Sequence, residues 1–495
     1  MTGQVRRWVW WLFFSSLLVI GGVGVWAVSY RVGYLFWPGL DLNGGMVGFE
    51  SLVFHLLDGW APFLLVGALF SWFIIPFRRY LRDFNVRVKI KGVLQWGASK
   101  SEGDFGLWGR RGAVLVLICS LVLFCLFAVY PYVSSVNPEG NTVGIDLSAY
   151  EAMMEEMVEQ EGGDLVPYTF LRFKDRALGL LLIFSVYRIT EFPLLVVLKF
   201  VPILLGSALI LSTFYFVWEA TQDWTLSSLT ALFTAFSYHV TVGMLGALFS
   251  NWMALTWVYL FSGFMMKGLR EESWKWTTLA ATALVSMLFT HLYTWAMVIG
   301  VLTVYTFLTV GSWMHGKKDV TWNLKAVTAI IIVNVAVEIL RNLAIGSLNV
   351  AGEAVAVAES RMALHFIPEF WSHLEHLFQI SMYGFYQNPL ILVLTLVGAL
   401  LICLKDQSFH RYLASWFILS SLLFLPSASK SQWRILYNLP LPILTALAFN
   451  HLRKYLQPIE KPQTNTLQHL TILLVTLATT NYGLRCARKL LELFV

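Results

Sequence analysis

Runs of about 20 residues with almost no charge decide the architecture of this chain, because that is the length an α-helix needs to cross roughly 30 Å of hydrocarbon. Trp8 to Val28, Leu52 to Pro76 and Gly112 to Val133 are such runs, and comparable ones follow to the end of the sequence. Period-2 alternation broken by frequent turns is absent, which argues against a membrane β-barrel. Composition agrees: 57% of the 495 residues are hydrophobic and 13% are charged, against about 45–50% and 25% in a soluble domain. The expected fold class is all-α, a polytopic transmembrane bundle of about 13 spans with juxtamembrane helices on its outer face.

The first run follows Arg6 and Arg7, as a signal peptide would, but it is long and no small-residue cleavage site follows it. It reads as a retained anchor. Cys119, Cys125 and Cys403 lie in apolar spans and Cys486 near the C-terminus. Without a CxxC pair they indicate neither a zinc ribbon nor a disulfide framework. The net charge of +6 is a matter of topology and implies no nucleic-acid partner.

Lys and Arg gather in cytoplasmic loops. A threading with the N-terminus cytoplasmic puts the basic segment from Phe77 to Arg111 inside, together with the breaks at Lys267 to Lys275, Gly316 to Lys325, Lys405 to Arg411 and Asn450 to Lys461. The acidic segment from Ser134 to Glu191 falls outside, as do Ile345 to Pro389 and Pro426 to Trp433. The expected location is the cell membrane, multi-pass. Ala177 to Thr190 is apolar but short of a span. It is expected to lie at the outer surface, because a crossing there would carry every later basic loop outside.

The outer loops hold the polar chemistry. Asp146 stands in Gly144-Ile145-Asp146-Leu147-Ser148-Ala149-Tyr150-Glu151, just before Leu147, Tyr150, Met153, Met154 and Met157 at helical spacing. That spacing predicts an amphipathic surface helix. Asp146 can be its N-cap, or a general base taking a proton from an acceptor hydroxyl. Lys199 lies near the outer end of the fourth span, Tyr238 and His239 are expected to end the fifth, and Asn251 begins the sixth. His291 lies in the outer turn Thr290-His291-Leu292-Tyr293, and Glu338, Arg341, Arg361, His365, Lys430 and Arg434 follow on the same side. Ionisable groups at membrane depth point to function, whereas near span ends Lys and Arg also snorkel to the interface. Glu369, His373 and His376 form E-x-x-x-H-x-x-H, a divalent-metal possibility weighed against a polar face of an interfacial helix, which is the preferred reading. Walker A, Rossmann and HExxH patterns are absent. No Gly/Pro-broken inverted repeat favours a secondary transporter.

The order of features carries a resemblance. An outer loop with an acidic residue and a surface helix is followed by Phe173-Lys174-Asp175-Arg176-Ala177-Leu178 and a short apolar helix. Then come Lys199-Phe200-Val201-Pro202-Ile203-Leu204-Leu205-Gly206, Phe236-Ser237-Tyr238, Phe249-Ser250-Asn251-Trp252-Met253-Ala254-Leu255 and Phe289-Thr290-His291. This layout resembles the GT-C superfamily of integral-membrane glycosyltransferases, most of all the branch of protein O-mannosyltransferases and aminoarabinose transferases. It covers roughly residues 111–450. On that division, residues 1–110 hold two further spans and the basic loop, residues 111–450 the GT-C-like catalytic module, and residues 451–495 a cytoplasmic linker and a last span.

The resemblance implies transfer of a sugar from a polyprenyl-phosphate donor to a hydroxyl of a glycan, lipid or protein acceptor at the outer face. It makes Asp146 the catalytic base. By position it puts Arg434, Arg361 and Lys199 on the donor phosphate and Tyr150, Glu151, Asn251 and His291 along the substrate cavity. It requires no cofactor and leaves a divalent metal open. The competing expectation is a non-enzyme, a transporter or a lipid-handling or assembly subunit on a degenerate scaffold of the same kind.

Overall fold

The computed structural model describes residues 110–160, 163–314, 320–345, 389–402, 407–424, 434–435 and 437–455. Every regular element among the described residues is helical. In chain order these are α1 (Arg110–Val129), α2 (Leu147–Glu159), α3 (Leu165–Phe173), α4 (Ala177–Thr190), α5 (Leu194–Thr221), α6 (Trp224–Ala235), α7 (Tyr238–Gly246) and α8 (Phe249–Glu271). They continue with α9 (Trp274–Leu288), α10 (Leu292–Met314), α11 (Thr321–Ile345), α12 (Pro389–Ile402), α13 (Ser408–Phe424) and α14 (Leu441–Tyr455). Short 3-10 turns extend α1 over Tyr130–Tyr132 and precede α4 over Lys174–Arg176.

Among the described residues, four stretches are long and apolar enough to cross a membrane: Arg110–Tyr132, Leu194–Thr221, Leu292–Met314 and Thr321–Ile345. The chain therefore belongs in a lipid bilayer. The first two expected spans, the basic loop as far as Gly109, Arg361 and the Glu369/His373/His376 trio lie outside the described residues.

Contacts at both ends of the helices fix their directions. At one end Arg110 lies 5.4 Å from the Trp224 ring, Lys267 and Arg270 of α8 reach Glu219 near the end of α5, and Asn323 of α11 donates to Ser408 of α13 at 3.0 Å. At the other end Lys199 of α5 donates to the Gly140 carbonyl at 2.6 Å, Tyr150 meets Ser250 at the start of α8, and the Leu178 amide donates to the Phe289 carbonyl at 3.0 Å. So α5 and α8 run parallel, and α1 runs antiparallel to both.

These contacts decide the position of α4. Its N-terminal flank touches Phe289, and its C-terminal flank leads within a few residues to Lys199, which touches Gly140. Both flanks lie at the same end, so α4 returns rather than crosses. At about 1.5 Å per residue its 14 residues span only ~21 Å. The bounds Ala177–Thr190 are those the apolar run predicts.

Packing uses small residues where helices come close, as expected in lipid, where close van der Waals contact must do the work of association. A Cβ on Gly206 of α5 would fall 2.0 Å from the Phe124 ring of α1, and one on Gly398 of α12 would fall 1.9 Å from the Leu444 carbonyl oxygen of α14.

One expectation needs correction. Tyr238 and His239 do not end a span. The helix stops at Ala235, Ser237 accepts from the Val240 amide as an N-cap, and Tyr238 opens the separate helix α7. Both side chains are fully buried. The His239 carbonyl accepts from the Trp252 indole and, at 2.7 Å, from the Tyr437 hydroxyl. The Ser cap, rather than apolar length, sets this break.

Candidate functional site

The end of the bundle that carries Asp146, His291 and Arg434 is built from the loop after α1, helices α2 to α4, the α7–α8 corner, the α9–α10 turn and the end of α11. Gly144 makes the approach to Asp146 possible. Its φ is +131°, a conformation glycine alone adopts readily, and a Cβ there would lie 2.7 Å from the Ala247 Cβ. Beside it the Asp146 amide donates to the Gly246 carbonyl at 3.1 Å, and the Asp146 carbonyl accepts from the Tyr150 amide at 3.1 Å. Asp146 thus occupies the N-cap position of α2, yet its carboxylate makes no capping hydrogen bond. The side chain is exposed. The capping role expected for this carboxylate, a bond to an amide two or three residues on, is not the one it plays.

α2 buries Leu147, Tyr150, Met154 and Met157 of the face read from its spacing, and Met153 of that face is half-buried. Tyr150 is fully enclosed: its hydroxyl lies 2.9 Å from Ser250 Oγ and accepts from the Ser250 amide at 2.9 Å, and its ring packs on Phe249 at 4.8 Å. It pins α2 to the start of α8. Burial pushes its phenol upward, with Arg176 and Asp146 as its charged neighbours. Glu151 is half-buried on α2, and Asn251 is buried beside Ser250. Lys199 braces the loop through the Gly140 carbonyl, its ammonium 5.6 Å from the Tyr132 ring.

The charged centre joins two nominated residues, His291 and Arg434, to Asp175, Arg176 and Arg341, which the sequence places in this region without a role in the site. His291 is buried; its Nδ1 lies 2.8 Å from Thr294 Oγ1 and accepts from the Thr294 amide at 3.3 Å. That bond leaves the imidazole proton on Nε2. Burial, with Arg434 and Arg176 nearby, lowers the His291 pKa to about 3, so the ring is neutral at pH 7. Arg434 is exposed and lies 5.9 Å from the Tyr293 ring centroid.

Asp175 is half-buried in the turn between α3 and α4. Burial raises its carboxyl above the usual range, against the opposing pull of Arg176, Arg341 and Arg434. Arg341, 4% exposed, is clamped by Glu338, which accepts from Nε at 2.6 Å and Nη2 at 2.8 Å. The sequence signal for this centre was present. Glu338 and Arg341 stand three apart in a helix whose one other charged residue is Lys325, and Asp175-Arg176 interrupts two apolar helices. Their convergence is a product of packing and leaves no periodic trace.

Beside the Glu338 clamp, the site therefore brings together a solvated carboxylate, a half-buried carboxylate, a neutral imidazole and the guanidiniums of Arg176, Arg341 and Arg434. Such a set can take a proton and can hold an anion. Arg361, the other cation expected here, lies outside the described residues. No family model matches the sequence, and no curated protein matches it.

Proposed function

We propose that this chain is a membrane glycosyltransferase of the GT-C kind, moving a sugar from a polyprenyl-phosphate donor to an acceptor hydroxyl at the end of the bundle that holds Asp146 and Arg434. One observation carries the reading: Arg176, Arg341 and Arg434 gather around the half-buried Asp175 at one end of the bundle, and at that end Asp146 is exposed and makes no capping bond. A proton acceptor and an anion holder are the two parts that transfer from a phosphate-linked donor requires.

In this mechanism Asp146 takes the acceptor proton as the acceptor oxygen bonds to the sugar's anomeric carbon. The bond from that carbon to the donor phosphate breaks, and the phosphate leaves with the electron pair. Arg434 stabilises the charge that develops there, a task suited to a guanidinium fork that meets two phosphate oxygens at once. Exposure leaves the Asp146 carboxylate open to an acceptor hydroxyl. Lys199, engaged with the Gly140 carbonyl, shapes the loop that presents Asp146, and in this reading the phosphate falls to Arg434. The position of this centre at a helix-bundle end, instead of at mid-depth, favours surface chemistry over transport. The acidic segment from Ser134 to Glu191 belongs to this end, which we assign to the outer face of the cell membrane with the N-terminus cytoplasmic.

The test uses the purified full chain with polyprenyl-phosphate sugars, following sugar release from the lipid. The wild type should turn over at least one such donor, and Asp146→Asn should lose most of that turnover while keeping the wild-type thermal transition. Equal turnover in a folded Asp146→Asn chain would remove Asp146 as the base and make Glu151 or Glu155 the next candidate. No turnover with any donor would favour a lipid-handling subunit on the same scaffold.

A further inference from the structure

The guanidinium of Arg341 has an unusual arrangement. Nε and Nη2 are taken by Glu338 and Nη2 also by Asn342 at 3.1 Å, but Nη1 is buried without a hydrogen-bond partner among the described residues. A buried charged donor left unmade is expensive and calls for a partner that arrives from outside. Glu338 does not supply it, since its oxygens meet the Nε–Nη2 edge of the guanidinium and Nη1 lies away from that edge.

Packing sets Arg341 level with the rest of the charged centre. The Trp295 indole of α10 donates to Asn334 of α11 at 3.3 Å. Arg341 lies seven residues beyond Asn334, two turns or about 10 Å along the same face of α11, and His291 lies four residues before Trp295, about 6 Å back along α10. Both directions lead to the end of the bundle where Arg434 lies beside Tyr293. Arg176, Arg341 and Arg434 share this end of the bundle with the carboxylates of Asp146, Asp175 and Glu338.

We propose that Arg341 is the buried ligand-binding donor of a phosphodiester site, its Nη1 taking one phosphate oxygen, with Arg434 at the rim and Glu338 as the positioning residue that aims the guanidinium. The inference rests on the phosphate-donor reading above and sharpens it. One buried donor is open to a phosphate oxygen, and the carboxylates of Asp146, Asp175 and Glu338 around it disfavour further negative charge, so this centre should prefer a monophosphate-linked lipid to a diphosphate-linked one. The bidentate clamp is what makes arginine necessary, because lysine cannot hold both Glu338 oxygens and still present a further planar donor.

The probes are methyl farnesyl phosphate, a prenyl phosphodiester, with farnesyl diphosphate and farnesol for comparison. Binding to the purified full chain is followed by tryptophan fluorescence. The wild type should bind the diester at least tenfold more tightly than either comparison lipid. Arg341→Gln should abolish that preference, Arg341→Lys should recover only part of it, and Glu338→Gln should weaken diester binding without inverting the preference. Equal binding of farnesol and the diester by the wild type overturns the proposal, and this holds even if Arg341→Gln fails to fold. So does wild-type diester binding by a folded Arg341→Gln chain. Arg341-dependent diester binding in a chain that transfers no sugar would leave this site standing and defeat the transferase reading alone. Sugar transfer with no preference for the diester would do the reverse.

Discussion

The two ends of the helix bundle treat charge differently. At the end away from Asp146, Glu219 is buried near the close of α5 and takes Lys267 at 3.2 Å and Arg270 at 2.6 Å from α8. Arg270 also donates to the Glu219 carbonyl. Lys267 lies 4.0 Å from the Trp276 ring, tying in α9, and Asp223 caps α6 while accepting from Asn450 of α14 at 3.3 Å. The charged groups there bind helices to one another. At the Asp146 end the carboxylate in a capping position does not cap, Asp175 is raised by burial in spite of three arginines, and Arg341 keeps a buried donor without a partner among the described residues. A paired buried charge is a structural joint. An incompletely paired one is costly, and it persists where a ligand completes it.

Substitutions that separate chemistry from structure would break or sharpen this contrast. The largest effect is expected from Asp146→Asn, with sugar transfer falling by about 10²–10⁴-fold and no change in thermal transition, as read by donor turnover and differential scanning. At the opposite end Glu219→Gln should do the converse. It leaves two cations facing a neutral amide and should destabilise the chain by about 2–3 kcal/mol, less than a wholly buried pair because Lys267 and Arg270 are partly exposed. Diester binding measured below the lowered transition should match wild type. Arg434→Ala comes next: about a tenfold loss of donor affinity, roughly 1.4 kcal/mol, with stability unchanged and Arg434→Lys recovering part of the loss.

A pH series separates the ends more finely. His291 has a folded pKa of about 3 against about 6.5 in an unfolded chain. Above pH 6.5 it is neutral in both states and contributes nothing to the pH dependence. As pH falls below 6.5 the unfolded chain gains a proton that the folded chain refuses, and stability drops by up to about 1.4 kcal/mol per pH unit. Asp175 works in the opposite direction, since a carboxyl raised in the folded state favours folding as it protonates. His291→Asn keeps an acceptor for the Thr294 amide and removes the titration, so it should flatten the fall between pH 6.5 and 5 in chemical denaturation. The smallest effect belongs to Arg172→Ala. Its bond to Glu156 at 2.7 Å is solvent-exposed, and the thermal transition should not move measurably.

Elements governed by local pattern were legible in the sequence. The apolar run from Gly112 to Val133 is α1 with its 3-10 extension, the spacing of Leu147, Tyr150, Met154 and Met157 is the buried face of α2, and Ala177–Thr190 is α4. Of the grouped segments, Lys267 to Lys275 lies at the Glu219 end, and the loop and helix from Ser134 to Gln160 lie at the Asp146 end. What depends on long-range packing was not legible. Tyr150 was expected along a cavity and is instead enclosed against Ser250, because an aromatic on the buried stripe of an amphipathic helix follows that stripe inward. Lys199 donates to a loop carbonyl 59 positions away in the chain, a partner that no spacing announces. Asp175, Arg176 and Arg341 come together from α11 and the turn before α4, and no spacing in the chain reports that.

The decisive question is which end of the bundle holds a lipid phosphate. A photoactivatable prenyl phosphodiester, crosslinked to the purified full chain and mapped by mass spectrometry, addresses this directly. The expected adducts fall on the loop around Asp146, the Asp175–Arg176 turn, the His291–Tyr293 turn and the segment at Arg341, and excess unlabelled diester should remove them. Adducts that compete in the same way but fall around Glu219, Lys267 and Trp276 would contradict the assignment of the site.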